Sequence, residues 1–474
     1  MGTINPSNSI QSPGSAGVMP DESLQRALMV LPGQLASKVG WTTDPVTGGI
    51  ELLDPSGGVA SSINTPIRQK LAGLMNAARR PLAKKVMTTP PTLAQEANSM
   101  HPAAWTVALA NAVLVKAIPV PTVVSPTDPR FHFSAPEMVQ VVVPNQGYND
   151  GSKYDFLCSQ SPSGYGGASL TNVIFNTDAP YFGIALSQST VLTMLVDGEY
   201  IAATPLGCTV AGSAKYYISV SFGAVRRSRE IQLVFSAGCG FGGIAIGPND
   251  TMFSPKIPLL RITGEGDSYC QLSTTSFYSG ILSEMALAIG ADYFCAPVGG
   301  TGYVHVNGVY PNAQTRISQI INAHGGHSDV VMVALGINDA MDGTIDAGVM
   351  AYYKALRIGL PNSLFIVIGA FCPVETNGAL YLAGRSNPIF AAVRAAGGPY
   401  IILDNISGTF ESSWGTSGSV GGLPWQTGTG KVGTTTGSGN GDIYVSSDGT
   451  HPNVAGADYL SDRIFTGIQT ALNS

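Results

Sequence analysis

The sequence predicts an α/β protein in three parts: a mixed N-terminal segment, an antiparallel β-sandwich, and a C-terminal three-layer unit with a parallel sheet between helices. Three observations carry this reading. A chain of 474 residues is too long for one ordinary core. Charged residues make up only 11%, against 58 Gly and 31 Pro, which is a strand-and-turn composition rather than that of a helical bundle. The apolar period also changes twice, to alternation near residue 131 and to buried strands interleaved with helical stretches from Pro258 onward. The expected divisions are therefore 1–130, 131–257 and 258–474.

Residues 1 to about 30 read as a flexible arm, Gly/Ser/Pro-rich and without the charged and apolar regions of a secretory signal. Arg79-Arg80 and Lys84-Lys85, within Ile67 to Val86, read as a solvated helix face rather than a nucleic-acid patch. The most apolar stretch, Ala103 to Val124, is interrupted by Lys116, Pro119 and Pro121. It is expected to be a packed helix followed by an extended segment, not a membrane span.

From Phe131 to Ile257 short alternating segments are bounded by Gly, Asn, Asp and Pro. Ile231, Leu233 and Phe235 share one face of such a segment, and Leu192 to Val196 runs into Asp197-Gly198, a strong hairpin-turn dipeptide. Strands at this spacing suggest a sandwich with an accessory or packing role. Beyond Pro258, the runs Leu259 to Thr263, Asp329 to Leu335, Leu364 to Gly369 and Tyr400 to Leu403 read as strands buried on both faces, most followed by a helix-like segment. In such sheets reactive groups gather at the carboxyl ends of the strands, where Ser268 and Asn338 fall.

The formal net charge is −6, and residues 261–474 carry 8 Lys/Arg against 15 Asp/Glu, so no phosphate-binding face is expected and nucleic acid is disfavoured as a partner. Six cysteines (158, 208, 239, 270, 295, 372) show no CxxC spacing and read as buried free thiols. His324 and His327 lie near Asp329 but lack a fourth ligand, and read as polar surface histidines rather than a metal site.

The residues that suggest chemistry lie in the last part. Gly266-Asp267-Ser268 ends an apolar run, placing Ser268 in a tight loop ahead of a helix-like segment around Ser276 to Ala288. The G-x-S-x-G elbow of the other large serine-hydrolase class is absent, since Cys270 stands at the second position after Ser268. Asp448 and His451 are three residues apart, a spacing that lets one turn present a carboxylate and an imidazole to a nucleophile elsewhere. Asn453 reads as the cap of a terminal helix, Ala455 to Leu472. Asn338 follows the run Val330 to Gly336, so its amide projects from a strand end where it can stabilise an oxyanion. Gly299-Gly300 follows another apolar segment and would let a backbone N–H approach the same oxygen.

Taken together and in order, these four segments resemble the blocks of the SGNH, or GDSL-type, serine hydrolases over about 215 residues, from Pro258 to the C-terminus. The resemblance implies a three-layer, flavodoxin-like parallel sheet with no cofactor and no metal. It also implies Ser268 as nucleophile, His451 as general base and acid, and Asp448 as the orienting carboxylate. The oxyanion hole would be formed by Ser268, Gly300 and Asn338; Gly300 is chosen over Gly299 because Thr301-Gly302-Tyr303 fits the block better. Tyr269 departs from the pattern, which expects Leu. Trp425 to Gly430, followed by Gly439-Asn440-Gly441-Asp442 and the Asp448 block, resembles a branch of the family found on phage tail and related proteins.

The expected activity is a serine esterase that removes acyl groups, O-acetyl above all, from a polysaccharide through an acyl-enzyme. The loop from Asn405 to Ser447 holds Trp414, Trp425 and Tyr444, aromatics that either stack on sugar rings or anchor the loop. Two alternatives stand beside it: a glycan-binding tail or surface adhesin with a non-catalytic hydrolase domain, and a lipase or esterase acting on longer acyl chains. Attachment to a virion tail, or self-association, is the expectation for the N-terminal segment, with the protein extracellular when it acts.

Overall fold

A computed structural model describes residues 41–43, 50–52, 65–78, 86–95, 105–108, 114–118, 122–134, 138–144, 153–159, 171–187, 190–202, 205–208, 215–235, 239–256, 260–271, 280–371, 382–420, 431, 433 and 440–474. The chain forms two compact units, Met1–Thr65 and Pro66–Ser474. In the first, Trp41–Thr43 pairs antiparallel with Ile50–Leu52. Everything below concerns the second, a mixed α/β arrangement with several sheets.

Its C-terminal part is built on a sheet whose five parallel strands are Arg261–Gly266, Asp292–Pro297, Val330–Ala334, Leu364–Ile368 and Tyr400–Asp404. Numbered along the chain, they lie in the order 2-1-3-4-5, so the order reverses between the first strand and the third. Both faces are covered. Val330, Met332 and Ala334 face one core with Ile281–Ala288 and the C-terminal helix Val454–Asn473, while Val331 and Val333 face the other with Thr344–Gly359 and Asn387–Ala396. Burial on two sides explains the unbroken apolar runs, each Val, Ile or Leu contributing about 1.5–3 kcal/mol when fully buried. Asn453 caps the C-terminal helix, its Oδ1 accepting the Gly456 N–H at 2.8 Å.

Beyond Tyr400–Asp404 the sheet continues antiparallel through Thr409–Ser412 and Ser417–Ser419. The segment from Asn405, expected to be a loop, therefore starts as sheet. Its Ser, Gly and Thr content hides this edge pair, which is held by backbone hydrogen bonds rather than an apolar pattern.

The strand-rich part consists of two antiparallel sheets that share one apolar core. Val173, Phe175, Leu192, Ile231, Leu233 and Phe235 from one meet Phe182, Ile184, Ile218, Phe241 and Ile244 from the other. Asp197 and Gly198 both have positive φ, as a two-residue hairpin turn between paired Val196 and Glu199 requires. Strands Thr92–Gln95 and Thr122–Val124, from ahead of residue 131, also join these sheets. Within Ala103 to Val124 the expected helix is instead a strand pair, Trp105–Ala108 with Leu114–Ile118. Its aromatic and β-branched residues suit a pleated surface better than a helix.

Helix Thr65–Ala77 packs Leu71 and Met75 into the core beside the C-terminal helix. Arg68 donates to the carbonyls of Leu472, at 2.9 Å, and Ser474, at 3.0 Å. The Arg79-Arg80 and Lys84-Lys85 pairs lie outside the described residues. Cys208, Cys239, Cys270 and Cys295 are buried free thiols.

One expectation is overturned at the amino end of the parallel sheet. The His324 side chain is 1% exposed, not a surface group. Its Nδ1 lies 3.1 Å from Asp292 Oδ2 and its Nε2 3.1 Å from the Ile262 carbonyl. Asp292 also meets His132 Nε2 at 2.8 Å and accepts from Ser134 Oγ, while Asn172 of the adjoining antiparallel sheet donates to the Tyr293 carbonyl. His324 has a left-handed backbone (φ 52°) at the end of its helix, which turns the ring inward toward a buried carboxylate; three residues on, His327 is exposed.

Candidate active site

Three segments meet at the carboxyl end of the parallel sheet, where the strand order reverses. The first strand ends at Gly266, and Ser268–Cys270 follows as a single 3-10 turn. Asp267 caps that turn, its Oδ1 accepting the Tyr269 N–H at 3.1 Å. Ser268 is thus held at a strand end, only 7% exposed.

The second segment is the turn before the C-terminal helix. His451 Nε2 lies 2.7 Å from Ser268 Oγ, and His451 Nδ1 lies 2.6 Å from Asp448 Oδ2. Asp448 is itself fastened: its Oδ1 accepts Ser446 Oγ–H at 2.6 Å, the Thr450 N–H at 2.8 Å and the His451 N–H at 3.0 Å. Partial burial works to raise this carboxyl, but the bonds from Ser446, His451 and Thr450 outweigh it and hold the group well below the usual carboxylate range. A carboxylate that stays ionised keeps the imidazole Nδ1 protonated and leaves the Nε2 lone pair toward the serine.

The third segment is the pair of loops after Asp292–Pro297 and Val330–Ala334. Asn338 Nδ2 donates to the Thr301 carbonyl at 2.9 Å, which joins the two expected oxyanion loops directly and leaves the second amide hydrogen for another acceptor. Gly300 has φ +73°, a left-handed backbone that favours glycine, and a Cβ there would fall 2.2 Å from Asn307 Nδ2, so that side chain would have to move.

Beneath the serine lies a buried ionic cluster. Arg316, 0% exposed, donates twice to Glu265 Oε1 (2.9 and 2.6 Å), once to the Pro311 carbonyl (2.8 Å) and once to Thr301 Oγ1 (3.3 Å). Burial pushes the Asp267 carboxyl up to about 7 against the single Tyr269 N–H, with the charges of Asp339 and Glu265 raising it further and Arg316 opposing. Burial raises Glu265 to about 7 as well, opposed by Arg316.

The substrate-binding expectations for the aromatics fare differently. Trp414 follows the strand that pairs Ser412 with Ile401, and Ser413 N–H bonds the Tyr400 carbonyl. That places Trp414 at the amino end of the sheet, opposite Ser268, under the Arg68 guanidinium at 4.3 Å. It is an anchor outside the site, which corrects the sugar-stacking expectation. Tyr444 stacks on Tyr459 at 4.4 Å and steadies the segment leading to His451. Trp425 lies outside the described residues.

Two side chains bearing on the site carried no distinguishing signal in the sequence. Tyr269, noted only as a departure from a motif, donates its hydroxyl to the Thr450 carbonyl at 2.5 Å and stacks on Phe371, so it links the serine turn to the histidine turn. Asp339 accepts three backbone N–H groups beyond Gly300, a contact that leaves no motif beyond an acid after Asn338. Among the described residues no group of three or more His, Cys, Asp or Glu is placed to hold a metal ion, and no helix is long and apolar enough to cross a membrane.

No family model matches the sequence, and no curated protein matches it. Among solved structures the chain is similar to a salicylyl-acyltransferase from a tetracycline biosynthetic pathway, at 14% identity and TM-score 0.48, over 72% of this chain and 95% of that one. It is similar to a family two carbohydrate esterase from Clostridium thermocellum, solved with cellohexaose, at 15% identity and TM-score 0.45, over 65% and 94%. A third is an acetyl xylan esterase from the rumen bacterium Butyrivibrio proteoclasticus, at 13% identity and TM-score 0.37, over 58% and 89%. At these identities and TM-scores the likenesses carry no weight for chemistry or substrate.

Proposed function

We infer that the protein is a metal-independent serine esterase of the SGNH type, with residues 258–474 as the catalytic domain. The observation that carries this is the unbroken relay from Asp448 through His451 to Ser268, at 2.6 and 2.7 Å. His451 takes the Ser268 proton as Oγ attacks an ester carbonyl, and the oxyanion is received by the N–H groups of Ser268 and Gly300 and by Asn338 Nδ2. His451 then returns the proton to the departing alcohol. Water, deprotonated by the same ring, releases the acid from the acyl-enzyme. The strand order 2-1-3-4-5 is that of flavodoxin-like sheets and supports the SGNH reading, with the chemistry at the switch point.

The preceding antiparallel sheets we read as a β-sandwich that packs beside the catalytic domain, supported by their common core. The substrate is a polysaccharide O-acetyl ester, and a tail-associated setting completes the proposal; both rest on the sequence resemblance. Acetate release from a panel of acetylated bacterial and plant polysaccharides tests the reading. Ser268→Ala is expected to abolish release with an unchanged circular dichroism spectrum. Retained turnover would refute the mechanism, glycan binding without any release would favour an adhesin, and preference for long acyl esters would favour a lipase.

A further inference from the structure

We propose that Asp339 is a positioning residue that sets the spacing between the Gly300 and Asn338 donors of the oxyanion hole. This rests on the esterase reading above. An oxyanion hole assembled from two loops works only if their separation is held, because the donors must meet an oxygen that exists in the transition state and not before. Asp339 is fully buried, and its carboxylate accepts the N–H groups of three successive residues: Tyr303 at 2.8 Å, Val304 at 2.9 Å and His305 at 2.9 Å. Such a run of backbone donors around one anion is a nest, here closed by a side chain of the same protein.

The position of this nest in the chain gives it its meaning. Asn338 and Asp339 are adjacent; Asn338 reaches the Thr301 carbonyl, and Asp339 reaches the N–H groups two to four residues further along. The two side chains clasp the loop that carries Gly300 at both its C=O and its N–H groups. Between these contacts Gly302 leaves no room, since a Cβ there would fall 2.4 Å from the Asp339 carboxyl. The loop is therefore pressed against the carboxylate and not merely tethered to it. An asparagine at 339 keeps the size but turns an NH2 group toward at least one of these N–H donors, so the clasp opens on one side.

The test measures kcat and KM on 4-nitrophenyl acetate for the full chain carrying Asp339→Asn, Asn338→Ala, both together, and Gly302→Ala, each well below its melting temperature. Asp339→Asn is expected to lower kcat by about 10–100-fold with KM changed by less than about 3-fold, since removal of one whole donor costs about 100–1000-fold. Gly302→Ala, which pushes on the carboxylate from the loop side, is expected to give the same kcat-only loss. In the double variant Asp339→Asn adds less than about 3-fold to Asn338→Ala, because a hole already missing one donor gains little from its spacing. A merely structural role predicts losses that multiply and that follow the folded fraction. Wild-type kcat in Asp339→Asn, or multiplicative losses, overturns the inference while Ser268-dependent turnover stands. Turnover that survives Ser268→Ala overturns the esterase reading and this inference with it.

Discussion

The two ends of the parallel sheet each carry a carboxylate hydrogen-bonded to histidine. At the amino end Asp292 meets His132 and His324 at 2.8 and 3.1 Å; at the carboxyl end Asp448 meets His451 at 2.6 Å. The pairs differ in their third partner. The far nitrogen of His324 faces the Ile262 carbonyl, which has no proton to give, while the far nitrogen of His451 faces the Ser268 hydroxyl, which does. They differ in burial too: Asp292 is 0% exposed, whereas the Asp448 side chain is 38% exposed and lies on a turn. Like chemistry thus yields a fastening at one end and, on the proposed reading, a proton relay at the other. The neighbour of the imidazole decides which.

Exchanging the carboxylates should separate the two roles. Asp448→Asn is expected to lower kcat by about 10,000-fold with little change in melting temperature, because the imidazole loses its tautomer and not its place. Steady-state kinetics beside a thermal melt decide this, and a loss below about 10-fold would break the assignment. Asp292→Ala should do the reverse. It is expected to destabilise by about 3–5 kcal/mol, as removal of one partner from a buried ionic contact does, with kcat per folded molecule within about 3-fold of wild type. Urea titration with activity measured in parallel reads both quantities.

A smaller effect concerns pH. Burial works to raise the Asp292 carboxyl, but the hydrogen bonds and charges of His132 and His324 outweigh it and hold it well below the usual range. A group depressed in the folded state stabilises above its unfolded value, near ~3.9, and that stability is lost as pH falls through the folded value. Unfolding free energy should therefore decline on acidification below about pH 4, and less steeply in Asp292→Asn. The smallest change expected is at the carboxyl end, where Tyr269→Phe removes the hydroxyl bond to the Thr450 carbonyl. It should cost about 1 kcal/mol of stability, with kcat falling only a few-fold.

These contrasts also mark what the sequence discloses. Leu364–Ile368 and Tyr400–Asp404 match runs read from the residues almost end for end, because strands buried on both faces need continuous apolar chains. Asp292–Pro297 has a polar start and a proline end and so lacks a continuous apolar run; Thr409–Ser412, in the antiparallel pair at the sheet margin, lacks one too. Ser268, Asp448 and His451 stand in recognisable local patterns, and the fold brings their side chains within hydrogen-bonding distance. The burial of His324 leaves no local trace, because its partners, Asp292 and Ile262, are remote in sequence from it. For Trp414 the choice between sugar stacking and anchoring has no local mark, because an aromatic in a Gly/Ser stretch does not show which end of the sheet it reaches. Contacts between side chain and distant backbone, as at Asp339, leave the least trace of all.

The helix Thr65–Ala77 bears on how the molecule opens. Arg68 spans 404 residues of chain to reach the Leu472 carbonyl, so this contact closes a very large loop and gains only once the surface that receives it exists. The helix buries Leu71 and Met75 fully and Ile67, Ala72 and Leu74 partly, with polar contacts from Arg68, Lys70 and Asn76, whereas the sheet beneath is buried on both faces. In kinetic terms such a long-range contact is expected to close late. Leu71 and Met75 line one cavity with Ile262, Val330 and Ile366, so local opening of this helix is expected to expose that side of the core, on the sheet face it shares with the C-terminal helix.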